Sequence, residues 1–167
     1  MPTITKIEII DLKIPFSHPF KIALGGPAPV QEVLQQGWVA IDAPKATLTP
    51  ETYREFIAQS RGEVSTAKNV YVAMKTGWFS CRTACYLAGG RPAVVQDTGF
   101  SKTVPVGKGL FAFDTLEQAA QAIETVEGNY HSHAVAAREL AADQFGSDKV
   151  LTQMLDDIFS SSAGKPA

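Results

Sequence analysis

Charge of either sign is scarce in this chain. Fifteen Lys and Arg stand against 17 Asp and Glu in 167 residues, for a net charge of −2. That near-balance argues against the basic face that a nucleic-acid-binding protein needs. Cysteine is scarcer still, with only Cys81 and Cys85. They stand four apart in a predicted helix, where a mutual disulfide is strained and a metal wants more ligands. The expectation is two reduced packing residues in a cytoplasmic protein, with no metal site. No apolar run approaches the roughly 18 residues of a membrane span. No charged segment followed by an apolar core and cleavage site reads as a signal peptide. Histidine is limited to His18, His131 and His133. His18 falls in a turn, and the other two fall on a helix away from the polar loops, where solvent or packing satisfies them. The phosphate-binding loop, the dinucleotide fingerprint, the zinc-protease helix and the nucleophile elbow are all missing as motifs.

What is present is globular: 45% hydrophobic and 19% charged residues, a size for about one ordinary domain. Residues 3–14 alternate as a strand that Pro15 ends, and Phe16 to Leu24 form a second, giving an N-terminal β-hairpin. Gly25, Gly26, Pro27 and Pro29 then break the chain. This divides it into a hairpin segment at 1–26, a main domain at 27–160 and a disordered tail at 161–167. Beyond the break, Val30 to Gln36 read as a short helix and Trp38 to Ile41 as a strand. Thr49-Pro50 starts a helix that buries Tyr53, Phe56 and Ile57. Strands are expected at 63–66, 92–95 and 109–113. Helices are expected at 79–88, from the capping box Thr115–Gln118 to Val126, at 130–145, and after Ser147. Strands alternating with helices predict a mostly parallel sheet covered on both faces, a Rossmann-like α/β fold.

In such sheets ligands bind at the carboxyl ends of the strands. The stretch from Ser60 to Phe100 puts its polar residues there. Ser80 is a plausible N-cap and Arg82 falls in the first turn of the following helix. A cation at a helix N-terminus is unfavourable alone, and an anionic ligand such as a diphosphate reverses that sign. The alternative is that Arg82 points away and pairs with a carboxylate. The strand at 92–95 emits Gln96, Asp97, Thr98 and Gly99, side chains suited to sugar hydroxyls but equally to an ordinary turn. Glu63 and Lys68 flank a third loop, as ligand groups or as a surface ion pair.

From about Gln35 to Ile158 the chain resembles the C-terminal, donor-binding half of a bacterial GT-B glycosyltransferase. The segments that carry the resemblance are GW at 37–38, YREFI at 53–57, SRGEVSTAKNVYV at 60–72, GWFSCRTACYLAGGRPAVVQDTGF at 77–100 and VPVGKGLFAF at 104–113. The resemblance implies a nucleotide-sugar ligand. Ser80, Arg82 and Thr83 would face the diphosphate, and Gln96, Asp97, Thr98 and Gly99 the sugar or its phosphate, with Glu63 and Lys68 as further donor-binding residues. It implies no catalytic residue here, because the acceptor domain of that family supplies the base. Two departures bear on donor affinity: Cys81 stands where an aspartate is expected, and Val70 where a glycine is.

Residues 1–25 resemble the first hairpin of an enolase-superfamily protein of the muconate-cycloisomerase and dipeptide-epimerase branch. They carry none of that family's barrel chemistry. The chain thus reads as a join of two pieces near Gly25 to Pro29, engineered, recombined or naturally fused. The expected function is a nucleotide-sugar-binding half that is not catalytic alone. The alternatives are a non-enzymatic folded module with a vestigial site, and a subunit completed by a partner; a homodimer through the hairpin is one such assembly. An enolase-type activity comes last.

Overall fold

The computed structural model describes residues 21–23, 39–41, 44 and 47–162. Two short strands, β1 (Lys21–Ala23) and β2 (Val39–Ile41), pair in parallel, with Lys21 opposite Val39. β1 falls within the expected second hairpin strand; the rest of the hairpin and the expected helix at 30–36 lie outside the described residues. From residue 50 the order is α1 (Pro50–Gln59), β3 (Glu63–Ser65), α2 (Asn69–Ala73), α3 (Cys81–Ala88), β4 (Ala93–Gln96), a single 3-10 turn at Phe100–Lys102, β5 (Leu110–Phe113), α4 (Leu116–Gly128), α5 (Tyr130–Phe145) and α6 (Ser147–Ser162). β3, β4 and β5 form a parallel sheet in that order.

The register fixes which side chains share a face. Ala93 lies opposite Leu110 and Val95 opposite Ala112, so these four point one way, with Glu63 and Ser65 of β3. Leu87 of α3, Phe100, and Ala137 and Ala141 of α5 pack on that face. Val94 and Phe113 point the other way, onto Ala119, Ala122 and Ile123 of α4. Helices therefore cover both faces of the sheet. This explains why β4 is a near-continuous apolar run rather than an alternating one.

The helices form where local chemistry requires it. α1 and α4 each begin with a capping box, Thr49 with Thr52 and Thr115 with Gln118. α3 buries Thr83, Tyr86 and Leu87 at helical spacing. It ends in paired bonds from Gly90 N–H to the Leu87 carbonyl (2.8 Å) and from Arg91 N–H to the Tyr86 carbonyl (2.9 Å), which close its last turn. α2 was not expected from the sequence: Lys68 caps it without a side-chain bond, and it buries nothing. α6 runs through Ser162, two residues into the expected tail. Its Val150, Leu151, Met154, Leu155 and Ile158 keep the predicted helical spacing but stay about half exposed, at 48–53%. Of the three side chains that α1 was expected to bury, Ile57 is buried, and Tyr53 and Phe56 are half-buried.

At the amino end of β5 the backbone passes close to α5. A Cβ built on Gly109, whose φ is +72°, would lie 2.4 Å from the Ala137 nitrogen and 2.6 Å from its Cα. Only glycine permits this approach, which seats α5 on the sheet. Gly109→Ala is expected to cost at least about 2 kcal/mol, from backbone strain plus displacement of α5. Urea denaturation monitored by circular dichroism checks this; an unchanged midpoint contradicts it.

Candidate functional site

Three segments meet at the carboxyl edge of the sheet: the loop from β3 to α3, the loop after β4, and Asp114 after β5. The first loop is fastened at several points. Thr98 Oγ1 donates to the Trp78 carbonyl at 2.6 Å, and Gly77 N–H donates to the Thr98 carbonyl at 2.8 Å. Lys75, held at a φ of 45°, donates through Nζ to the Asp97 carbonyl (3.2 Å) and to Asp114 Oδ1 (2.8 Å). Tyr71 stacks on Trp78 at 5.1 Å, and Phe79 packs between Phe100 and Phe145, each 5.1 Å away. These contacts deliver Ser80 to the start of α3, where its hydroxyl accepts from Arg82 N–H at 3.3 Å.

Arg82 occupies the first turn of α3, and its Nε–H donates to Glu63 Oε1 at 2.7 Å. This is the carboxylate pairing left open by the sequence, with Glu63 as partner rather than a surface group. Glu63 is 5% exposed and also accepts from Ser65 Oγ at 2.9 Å. Its Oε2 is buried with no hydrogen-bond partner among the described residues. The Glu63 backbone lies at the amino end of β3, so only its side chain reaches along the face toward the carboxyl edge. The Arg82 side chain stays 47% exposed. Burial works against its charge, but the bond and charge of Glu63 outweigh it and raise its pKa. Tyr53 of α1 lies close enough to sense both charges, and burial pushes its hydroxyl up to about 12.

Asp97 is held from several sides. Oδ1 accepts from the N–H groups of Gly99 (2.9 Å) and Ser101 (3.4 Å), and Oδ2 accepts from Ser101 Oγ (3.0 Å), with Lys75 Nζ at 3.7 Å. Burial alone would raise its carboxyl, but these bonds and the lysine charge hold it below its ordinary value. Gln96 Oε1 accepts from Ala67 N–H at 3.1 Å. Thr83 is 1% exposed and faces a small cavity of about 20 Å³ that it shares with Ser65, Ala67, Ser80 and Gln96. That volume admits one water and no phosphate. A wider open depression of about 490 Å³ lies on the β5 side, between Asp97, Ser101, Phe111, Asp114 and Gln118.

No family model, curated protein or solved structure matches this chain. The site must therefore be judged on its own geometry. The structure brings Glu63, Ser80, Arg82 and Thr83 together around the start of α3, and Gln96, Asp97, Thr98 and Gly99 along the neighbouring strand end. Lys68 is exposed at the start of α2 and does not pair with Glu63. Sequence reasoning missed Lys75 and Asp114, which fasten the loops; no local pattern links residues 39 apart. It also took Cys81 and Cys85 as packing residues, whereas both are free and exposed. The helix turns Thr83, Tyr86 and Leu87 inward, and positions 81 and 85 consequently face out. His133 is buried, accepts from Gly109 N–H at Nδ1 (3.4 Å) and packs against Phe111, while His131 is exposed; neither lies at this edge.

Asp97 yields a pH dependence with a defined sign. Its folded-state value lies below the ordinary 3.8, so its stabilisation is complete above that value and is lost as pH falls through the folded one. Asp97→Asn should cost about 1–2 kcal/mol at pH 7, and the gap to the parent should narrow as pH falls below 3.8. Paired denaturation curves at pH 7 and pH 3 check this; a gap that persists undiminished at the lower pH contradicts it.

Proposed function

We propose that this chain is the nucleotide-sugar-binding half of a glycosyltransferase, with a Rossmann-like GT-B donor domain, and that it does not transfer sugar alone. The observation that carries the reading is the placement of Arg82. A guanidinium in the first turn of a helix opposes the helix dipole. Glu63 holds it there through Nε alone, while its side chain stays half exposed. An anion over the start of α3 would meet both the guanidinium and the free first-turn N–H groups, which turns an unfavourable arrangement into a favourable one.

A diphosphate fits that charge pattern, and the half-buried Gln96 supplies a polar group beside it for a sugar hydroxyl, whereas Asp97, Thr98 and Gly99 are engaged in the loop's own hydrogen bonds. The phosphate would lie over the surface of the crevice, since the cavity beneath holds only a water. The engaged state of the acids supports a binding role for this edge. Glu63 is tied to Arg82 and Ser65, Asp97 is bound from three sides, and His133 lies at the amino end of β5.

One observation favours a second reading, a folded module with a vestigial site: the Arg82 guanidinium already has a carboxylate partner in Glu63. Calorimetry with UDP-glucose and GDP-mannose separates the two. The donor reading expects a Kd between about 10 μM and 1 mM for one of them, weakened at least about tenfold by Arg82→Ala. No heat at millimolar ligand with a folded sample contradicts it. The vestigial reading expects Cys81→Asp to remain without detectable binding.

A further inference from the structure

We infer that Cys81 and Cys85 together form a two-thiolate site for a soft, two-coordinate monovalent cation, copper(I) above all. Both thiols are free and exposed. They stand four residues apart on α3, so they share a face with Cβ atoms about 5–6 Å apart. The two groups sense each other: Cys81 adds to the rise in the Cys85 pKa, behind the larger effect of burial.

The number of ligands selects the cation. Among the described residues no group of three or more His, Cys, Asp or Glu side chains can hold a metal. Zinc wants four ligands, and calcium or magnesium wants an oxygen shell. Thiolates select copper(I), for which two such ligands in line suffice. Binding is a metal-for-proton exchange: one monovalent cation enters, two thiol protons leave to solvent, two metal–sulfur bonds form and no electron moves. The product is a bis-thiolate of charge −1. The first-turn N–H groups of α3 favour that charge, because Cys81 is the first helical residue. Glu63 opposes the second thiolate, and Tyr53, neutral to about pH 12, neither helps nor hinders. The inference does not require the nucleotide-sugar reading, although both draw on the first turn of α3.

The test is an anaerobic titration of the reduced full-length chain with copper(I), with bicinchoninate as competitor and native mass spectrometry as the count. One copper per single chain is expected, with release of two protons. Cys81→Ser and Cys85→Ser should each weaken binding more than about a hundredfold, because each removes the intramolecular second ligand. Affinity unchanged in either variant, one copper bridging two chains, or two coppers per chain overturns the inference. Circular dichroism of both variants verifies that α3 is retained, and alanine replaces serine at a position where it is not.

Discussion

A buried carboxylate holding a guanidinium against the positive end of a helix is the constraint around which this structure is organised. Moving an ion out of water costs several kcal/mol even after relaxation, so Glu63 can be buried only if it is matched. Arg82 matches it at 2.7 Å, with Ser65 donating to the same oxygen. The pair ties β3 to α3 just past the Ser80 cap. It also stores an electrostatic mismatch at that point, because the helix dipole and the arginine repel. The second carboxylate oxygen, buried and without a partner, adds to the mismatch. An arrangement of this kind stabilises the chain less than an apolar equivalent would. In the proposed reading it is the cation that an anionic ligand at this helix terminus would meet.

The remaining contacts at the edge keep that terminus in place. Lys75 bridges the Asp97 carbonyl and Asp114, the Thr98–Trp78 and Gly77–Thr98 bonds lock two loops together, and Phe79 is gripped by two aromatic rings. Few of these groups would touch a ligand. They fasten the loops to one another, and under the proposed reading that would lower the cost of ordering them on binding. Beneath them, the small residues of α5 and Gly109 allow helix and sheet to approach closely, which supports the whole edge from the opposite end of β5.

Much of the fold was legible because its signals are local. Thr49-Pro50, the Thr115–Gln118 box, Ser80 and the alanine-rich stretch from Tyr130 to Phe145 each announce an element through capping or periodicity, and each element formed there. α2 was not legible, since Val70, Tyr71 and Val72 favour a strand and no side chain caps its start. The polar residues at the sheet edge were legible, but their pairings were not. Glu63 with Arg82, and Lys75 with Asp114, are joined only by the fold, and no local pattern records a partner 19 or 39 residues away. The outward aim of Cys81 and Cys85 was derivable from the inward aim of Thr83, Tyr86 and Leu87.

The central claim, that the start of α3 beside Arg82 receives the phosphate of a nucleotide sugar, is tested most directly by amide NMR during titration with UDP-glucose and GDP-mannose. The account predicts that for one of them the shifts concentrate at 80–83 and 96–99 and fade in Arg82→Ala. Shifts confined to α5 and α6, or none at millimolar ligand, would contradict it.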